Sequence, residues 1–451
     1  MEKIREAVAY YNSLLEQTPS RMEELRDVLT EKIKERKMIF GGRPLSPYLR
    51  PHFVSVEQWD YIKSVCRVIW RCIEKIGIAI KEDVKLQDEI GLSAAERELV
   101  AIDPGFSGIS INSRLDSFLT EDSYQFVELN AENPAGISYC EVMAKIFLDL
   151  PVMKEFSERF AVYPLYARKH MLATLLKAYS EWSNSRNGKP KIAIVDLRGL
   201  PTQCEFEQFQ EFFRSEGYEA EIIHPDELEY SGGRLRRGDF EIDIVYRRLL
   251  VNEFLENIDT ARPLLEAYRE RAVCVVNSFR SKFVHKKMLF GLLTDEKNST
   301  LFSQDELAAI SKHIPWTRRM RECKTLYEGK EIDLVEFARQ NREMLVLKPN
   351  DEYGGKGVFV GWELDQSQWD EAIQTALNGD YLLQKRVGTA REVFPYFSET
   401  GEISFLEQLV DLDPLLFYGE VQGAFTRLSS TSLCNVTSGG GMVPTFVIDR
   451  K

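Results

Sequence analysis

Apolar residues recur every three to four positions near the start of the chain. Ile4, Val8, Tyr11 and Leu15 form one stripe; Met22, Leu25, Val28 and Ile33 form another. That period places each set on one face of a helix, so two amphipathic helices are predicted within residues 1–40. GGRPLSP breaks the pattern. It resumes strongly from Trp59 to Ile80, which reads as a further amphipathic helix. The period then changes to two. INSRLDSFLT and YQFVELNA alternate and are rich in β-formers, so each is predicted as a strand, with the turn residues Glu121, Asp122 and Ser123 between them. A helical stretch is expected from about Ile137 to Trp182, and SNSRNGKP, Ser183 to Pro190, reads as a linker. Beyond it KIAIVDL, EAEIIHP and DFEIDIVYRR read as strands, with a helix between the first two. That alternation predicts a small α/β domain with a parallel sheet. No G-x-G-x-x-G follows its first strand, so it is assigned to a substrate cleft and not to a dinucleotide.

The two alternating strands carry the chain's most specific chemistry. With a three-residue loop, Thr120 pairs with Tyr124 and Phe118 faces Phe126. Asp116 then faces Glu128, and Arg114 faces Asn130. All these pairs share one face, because side chains alternate with period two. A two-residue loop would put Asp116 and Glu128 on opposite faces. Opposed carboxylates repel unless a cation lies between them. Mg2+ takes oxygen ligands and keeps places for phosphate and water. Asp116, Glu128 and the amide oxygen of Asn130 are the candidate metal ligands, and Arg114 is placed to hold a phosphoryl group in transfer. An ordinary hairpin with a solvated polar face is the competing account.

A second segment supplies the features of a nucleotide site. MLVLKP reads as a buried strand ending in Lys348, followed by NDEYGGKGV and the strand VFVGW. Gly354, Gly355 and Gly357 let backbone N–H groups approach phosphate, and Lys348 and Lys356 supply positive charge. The order GGKG is not a Walker loop, and a plain hairpin turn would look the same. Upstream, Lys286 and Lys287 open an apolar, helix-like run, and Lys287 is the candidate for an α-phosphate. Downstream, Tyr381 to Val387 reads as a strand whose backbone from Gln384 through Lys385 to Val387 is a candidate adenine hinge; an interior strand has the same pattern.

Composition narrows the class. The chain has 451 residues, enough for two or three domains, and a net charge of −13 that disfavours a nucleic-acid partner. The basic stretch Gly232 to Gly238 is short and reads as a solvated turn. Seven cysteines show no framework spacing, and five histidines form no cluster, which argues for reduced thiols and against zinc. The amphipathic start lacks a signal-peptide core and no long apolar run exists, so a cytoplasmic protein without membrane contact is expected.

The Arg-x-Asp … Glu-x-Asn-x-x-x-Pro-x-Gly order together with the KP strand and glycine flap resembles the ATP-grasp superfamily. Here the Arg-x-Asp and Glu-x-Asn pair precedes the lysines and flap. That order resembles the circularly permuted group, including glutathionylspermidine synthase-like proteins. Phe40 to Pro51 looks like that group's opening segment, Glu241 to Leu250 like the end of its preceding domain, and Gly423 to Pro444 like its closing segment. The resemblance implies an α/β (α+β) circularly permuted ATP-grasp fold. Its parts would be an N-terminal helical segment over 1–50, the metal-binding half over 51–183, a small α/β pre-ATP-grasp-like domain over 184–276 and the nucleotide-binding half over 277–451. It implies ATP and Mg2+ as cofactors and an ADP-forming carboxylate–amine ligase that works through an acyl phosphate. The partners would be a small-molecule or peptide carboxylate and an amine. By the same resemblance Arg391, Glu392 and Arg427 are active-site candidates, though a strand-edge salt bridge explains them equally well. Gln384 departs from the glutamate that often begins the hinge. A small-molecule kinase and a non-catalytic ATP-binding scaffold remain the alternatives.

Overall fold

The structure, a computed structural model, describes residues 2–18, 20–183, 188–434 and 440–451. Half of the predicted linker (184–187) and part of the predicted closing segment (435–439) lie outside the described residues. The fold is mixed α/β.

The two N-terminal helices form as expected, Glu2–Leu15 and Arg21–Glu35. In the second the buried face is Leu25, Leu29 and Ile33, while Val28, assigned above to the stripe, is exposed. The third helix runs Val56–Glu82, longer than its sequence pattern. Ser55 starts it: its Oγ accepts the Gln58 amide, and the Gln58 side chain accepts the Ser55 amide. This reciprocal cap satisfies two otherwise orphan donors.

The helical stretch predicted from Ile137 to Trp182 is divided. Ile137–Leu148 and Pro151–Arg159 are followed by a strand, Phe160–Pro164, before the helix Ala167–Ser183. The strand forms because Thr445–Arg450 supplies an antiparallel partner from far along the chain. The same Thr445–Arg450 strand pairs in parallel with His52–Ser55 on its other edge.

The parallel sheet is present, in the order Cys274–Val276, Ile244–Arg247, Ile192–Val195, Ala220–Ile223. DFEIDIVYRR is not one strand. Phe240–Glu241 ends a small antiparallel meander that includes Arg234–Arg237, so the basic stretch is partly a strand and not only a turn. The break falls at Asp243, whose carboxylate accepts the Lys191 amide. Asn277, just after the last parallel strand, fastens this sheet to the 112–130 hairpin. It accepts the Ile111 amide and donates to the carbonyls of Asn112, Ala131 and Glu132.

A six-stranded antiparallel sheet holds the hairpin. Its longest strand, Ile403–Phe417, pairs with Ala390–Phe397 along its first half and with Asn112–Leu119 near its end, and Glu420–Ser429 lies along the opposite edge. A separate four-stranded sheet contains Leu345–Pro349 and Tyr381–Lys385 in antiparallel register, with Val346 opposite Gln384. The expected strand after the flap is only Phe359–Val360.

Candidate active site

The hairpin brings Asp116 opposite Glu128 and Arg114 opposite Asn130, as the alternation required. It does so by a different route. Leu119 pairs with Tyr124, so the loop has four residues, closed by the Thr120 amide donating to the Ser123 carbonyl. Left alone, that register would set Asp116 against Val127. A bulge at Val127 adds one residue to the second strand and restores the Asp116–Glu128 pairing. The predicted Phe118–Phe126 and Thr120–Tyr124 pairings are therefore corrected: Phe118 opposes Gln125, and Phe126 opposes Ser117. Phe126 packs into the core beneath the sheet with Tyr124, while Phe118 stays on the carboxylate face against Val387 and Leu409.

One cleft, about 650 Å3, receives both halves of the predicted site. From the hairpin it is lined by Arg114, Asp116, Glu128 and Asn130. From the later segment it takes Lys287, Lys348, Gly354, Gly355, Lys356, Gln384, Lys385 and Val387. Arg391 and Arg427 also border it. Gly357 does not line it. At φ +71° a Cβ there would come within 2.9 Å of Pro349 Cγ and of the Tyr381 hydroxyl, so this glycine permits close packing at the flap's far end.

Asp116 is fully engaged. Arg114 grips it with two hydrogen bonds, Nε at 2.8 Å and Nη2 at 3.2 Å, and Arg427 Nη2 donates to Oδ2 at 2.6 Å. The same Arg427 nitrogen lies 2.5 Å from Asp411 Oδ2 and 3.0 Å from Asp413 Oδ2. Three buried carboxylates are thus gathered around one guanidinium. Their oxygens are close enough to hold a metal ion, but Arg427 already stands among them as the cation. Burial pushes the Asp411 and Asp413 carboxyls up, Asp413 strongly. Burial acts in the same direction on Asp116, but Arg114 and Arg427 outweigh it and bring its carboxyl below the usual range.

Glu128 and Asn130 are the more open donors. Glu128 Oε2 lies 3.2 Å from Lys287 Nζ, and Asn130 Nδ2 donates to Asp116 Oδ1 at 3.0 Å and to Glu128 Oε1 at 3.3 Å. Among the described residues nothing donates to Asn130 Oδ1. Burial raises the Glu128 carboxyl, and Lys287 leads the charges that bring it net below its ordinary value.

Lys348 Nζ donates to Gln384 Oε1 at 2.8 Å, and Gln384 Nε2 donates to Thr317 Oγ1 at 3.1 Å. The carbonyl freed at the Val127 bulge lies against this pair, 3.5 Å from Lys348 Nζ and 3.4 Å from Gln384 Nε2. The residue that stands in place of the hinge glutamate therefore positions the flap-strand lysine. At the hinge itself the amides of Lys385 and Arg386 donate to the carbonyls of Trp316 and Met344. Lys385 Nζ turns to Glu328 at 3.1 Å. Glu392 forms its ion pair with the buried Arg50, and Arg391 lies 3.7 Å from Glu407.

Several cleft residues escaped the sequence reading: Glu352 and Tyr353 in the flap, Asp196 and Arg248 at the ends of parallel strands, and Asp411. Asp196 had a signal, since it ends KIAIVDL at the carboxyl edge of a parallel sheet, where ligands collect. Burial raises its carboxyl to about 7. Asp411 and Asp413 also stood out, as two acids in the otherwise apolar run LVDLDPLLF.

Among the described residues no helix is long and apolar enough to cross a membrane. No protein-family model matches the chain, and no curated protein matches it. Among solved structures, a presumed γ-glutamylcysteine synthetase from Methylobacillus flagellatus KT aligns over 85% of each chain at 10% identity, with a TM-score of 0.40. A glutathione synthetase-like effector from Globodera pallida, in its apo form, aligns over 95% of this chain and 98% of its own at 12% identity, with a TM-score of 0.62. The chain therefore shares its mixed α/β fold, over nearly its whole length, with a glutathione synthetase-like effector.

Proposed function

We propose that the chain is an ATP-dependent carboxylate–amine ligase of the circularly permuted ATP-grasp type. Its parts would be a helical segment to residue 50, a metal-binding half to 183, a small α/β domain to 276 and a nucleotide-binding half beyond. One observation carries this reading. The Glu128–Asn130 hairpin and the Lys287, Lys348 and Gly354–Lys356 group, far apart in sequence, line a single cleft of about 650 Å3. The fold likeness to a glutathione synthetase-like effector supports it.

The donor set fits Mg2+. Asn130 Oδ1 has no donor among the described residues, and Glu128 beside it is an ionised carboxylate with 25% of its side chain exposed. These are hard oxygen donors of the kind Mg2+ takes alongside phosphate and water. Glu128 and Asn130 would hold the ion. Asp116, with both oxygens engaged, would orient Arg114 and Arg427 from behind. A bound Mg2+ would supply charge neutralisation between phosphates.

A carboxylate is a poor electrophile, and phosphorylation gives it a good leaving group. Lys287 and Lys348 would offset charge as it spreads over the phosphoryl oxygens, and Arg114 and Arg427, braced by Asp116, Asp411 and Asp413, border the same cleft. Rigid placement matters because no reorganisation is then needed as charge develops. The Gly354–Lys356 flap would exclude water from the acyl phosphate until an amine attacks, giving the amide and phosphate. The Val387 amide, the one at the hinge not donated within the described residues, would meet the adenine edge.

The test combines Mg-ATP, a pool of amino acids and small peptides, and hydroxylamine as trapping amine, with Glu128→Gln alongside. ADP together with a hydroxamate, both lost in the variant, is expected. ADP with a phosphorylated product and no hydroxamate would establish a kinase instead. Absence of Mg-ATP binding, read by calorimetry, would remove the enzymatic reading.

A further inference from the structure

Behind the cleft lies a charge network that no step of this chemistry uses. Its centre is Lys282, fully buried, with Nζ 2.8 Å from Asp351 Oδ1, 3.1 Å from Glu132 Oε1 and 3.6 Å from Glu96 Oε1. Lys286 joins Glu96 at 3.0 Å and Asp351 at 3.3 Å. Arg247, on a strand of the parallel sheet, lies 3.4 Å from Glu132 Oε2, which also accepts the Val251 amide at 2.7 Å. Three cations, Lys282, Lys286 and Arg247, thus balance three carboxylates, Glu96, Glu132 and Asp351. His285, which also touches Glu132, has its imidazole lowered below its ordinary value by burial, against the pull of Glu132.

The sequence positions of these residues give the network its meaning. Glu132 immediately precedes Asn133, Lys286 immediately precedes Lys287, and Asp351 immediately precedes Glu352. Asn133, Lys287 and Glu352 all line the cleft. Each of the three segments that build the phosphate end is therefore anchored one residue away, in the same buried cluster. Arg247 extends the anchorage to the parallel sheet, where its Nε donates to the Asn277 carbonyl at 3.1 Å. Buried ion pairs hold geometry well because each member is costly to leave alone.

We infer that Lys282, Asp351 and Glu132 are positioning residues, a charge-balanced joint that sets the glycine flap and Lys287 relative to the 112–130 hairpin. The inference rests on the nucleotide-binding reading and predicts which part of the nucleotide senses the joint. The flap and Lys287 meet phosphates. The hinge strand Tyr381–Lys385 meets the base and takes no part in the network.

The experiment is calorimetric titration of wild type, Asp351→Asn and Lys282→Gln/Asp351→Asn with Mg-ATP and with AMP, beside thermal melting of each. Asp351→Asn is expected to weaken Mg-ATP about tenfold, as misplaced phosphate ligands do, while AMP binding stays within about twofold. The double variant removes one charge of each sign. It is expected to regain the wild-type melting temperature yet keep the weakened Mg-ATP affinity, because the link from flap root to Glu132 is still missing. If Mg-ATP affinity returns together with stability, or if ATP and AMP weaken in step, the network is structural only and the inference is overturned. A wild-type protein that binds neither nucleotide would instead overturn the function on which the inference rests.

Discussion

Lys348 Nζ, on the strand before the flap, donates a 2.8 Å hydrogen bond to the neutral amide oxygen of Gln384. An amide dipole does not compensate a buried ammonium as a carboxylate would. Burial accordingly lowers Lys348 to about 8, although Glu128 pulls the other way. Phosphate brought beside the lysine favours its charged form and raises that value again. Mg-ATP binding near pH 8 is therefore expected to take up protons, and affinity is expected to fall as pH rises past about 8. Titration in two buffers of different ionisation enthalpy reads the proton count directly. Identical heats in both would refute the assignment. Gln384→Glu, which supplies a full negative charge, is expected to abolish the uptake.

The carboxylates around Arg427 should respond unequally to amide substitution. Burial pushes the Asp413 carboxyl well above its ordinary value, so a neutral amide is a closer substitute there, and Asp413→Asn is expected to cost less than about 1 kcal/mol. Asp116 is ionised and bonded to two guanidinium groups, so Asp116→Asn is expected to cost roughly 3 kcal/mol. Urea denaturation of the two variants separates the cases; equal losses would contradict the opposite shifts of the two carboxyls.

The four-residue loop sets Phe118 and Phe126 on opposite faces of the hairpin, and their truncations should have different consequences. Phe126 is fully buried in the core beneath the sheet, so Phe126→Ala is expected to lose roughly 3–5 kcal/mol of stability without changing nucleotide affinity in the folded protein. Phe118 packs on Val387 at the hinge, so Phe118→Ala should weaken adenine nucleotides measurably. Melting curves and AMP titrations distinguish them. Equal nucleotide effects would place both rings on one face.

Asp196 links stability to pH. Its folded value of about 7 lies above the ordinary 3.8, raised by burial against the pull of Arg248. The folded state holds this proton more tightly than the unfolded one. Its contribution is therefore present below about pH 4 and is lost as pH rises to about 7, on the order of 4 kcal/mol in total. Asp196→Asn should remove that slope from a series of denaturation midpoints taken across the interval. An unchanged slope would show that the carboxyl is ionised throughout.

Period placed the N-terminal helices, the helix after Trp59 and the two hairpin strands, and alternation with an assumed three-residue loop paired Asp116 with Glu128 and Arg114 with Asn130. What it could not show was the means. Nothing in the type of Val127 marks it as the inserted residue, because bulges are fixed by what lies on both faces of a sheet. Phe160–Pro164 was hidden for a related reason: its partner strand, Thr445–Arg450, is remote in sequence. The hinge glutamine looked like a departure at a base-binding position. Its partners Lys348 and Thr317 come from two other strands, so its part in the site is tertiary and no local pattern carries it. The network around Lys282 joins five separate segments and was illegible for the same reason.

The pairing of Asn112–Leu119 with the end of Ile403–Phe417 sets an order of events during synthesis. A ribosome delivers the hairpin well before its sheet partner, which follows about 280 residues later with Asp411, Asp413 and then Arg427. Until then Asp116 has Arg114 as its guanidinium partner, and the apolar side of the hairpin has no finished sheet to join. Contacts of such long sequence separation close slowly. The nascent chain therefore carries an unfinished edge for as long as the residues between the hairpin and its partner strand are being made, and an unpaired edge of that kind invites mispairing.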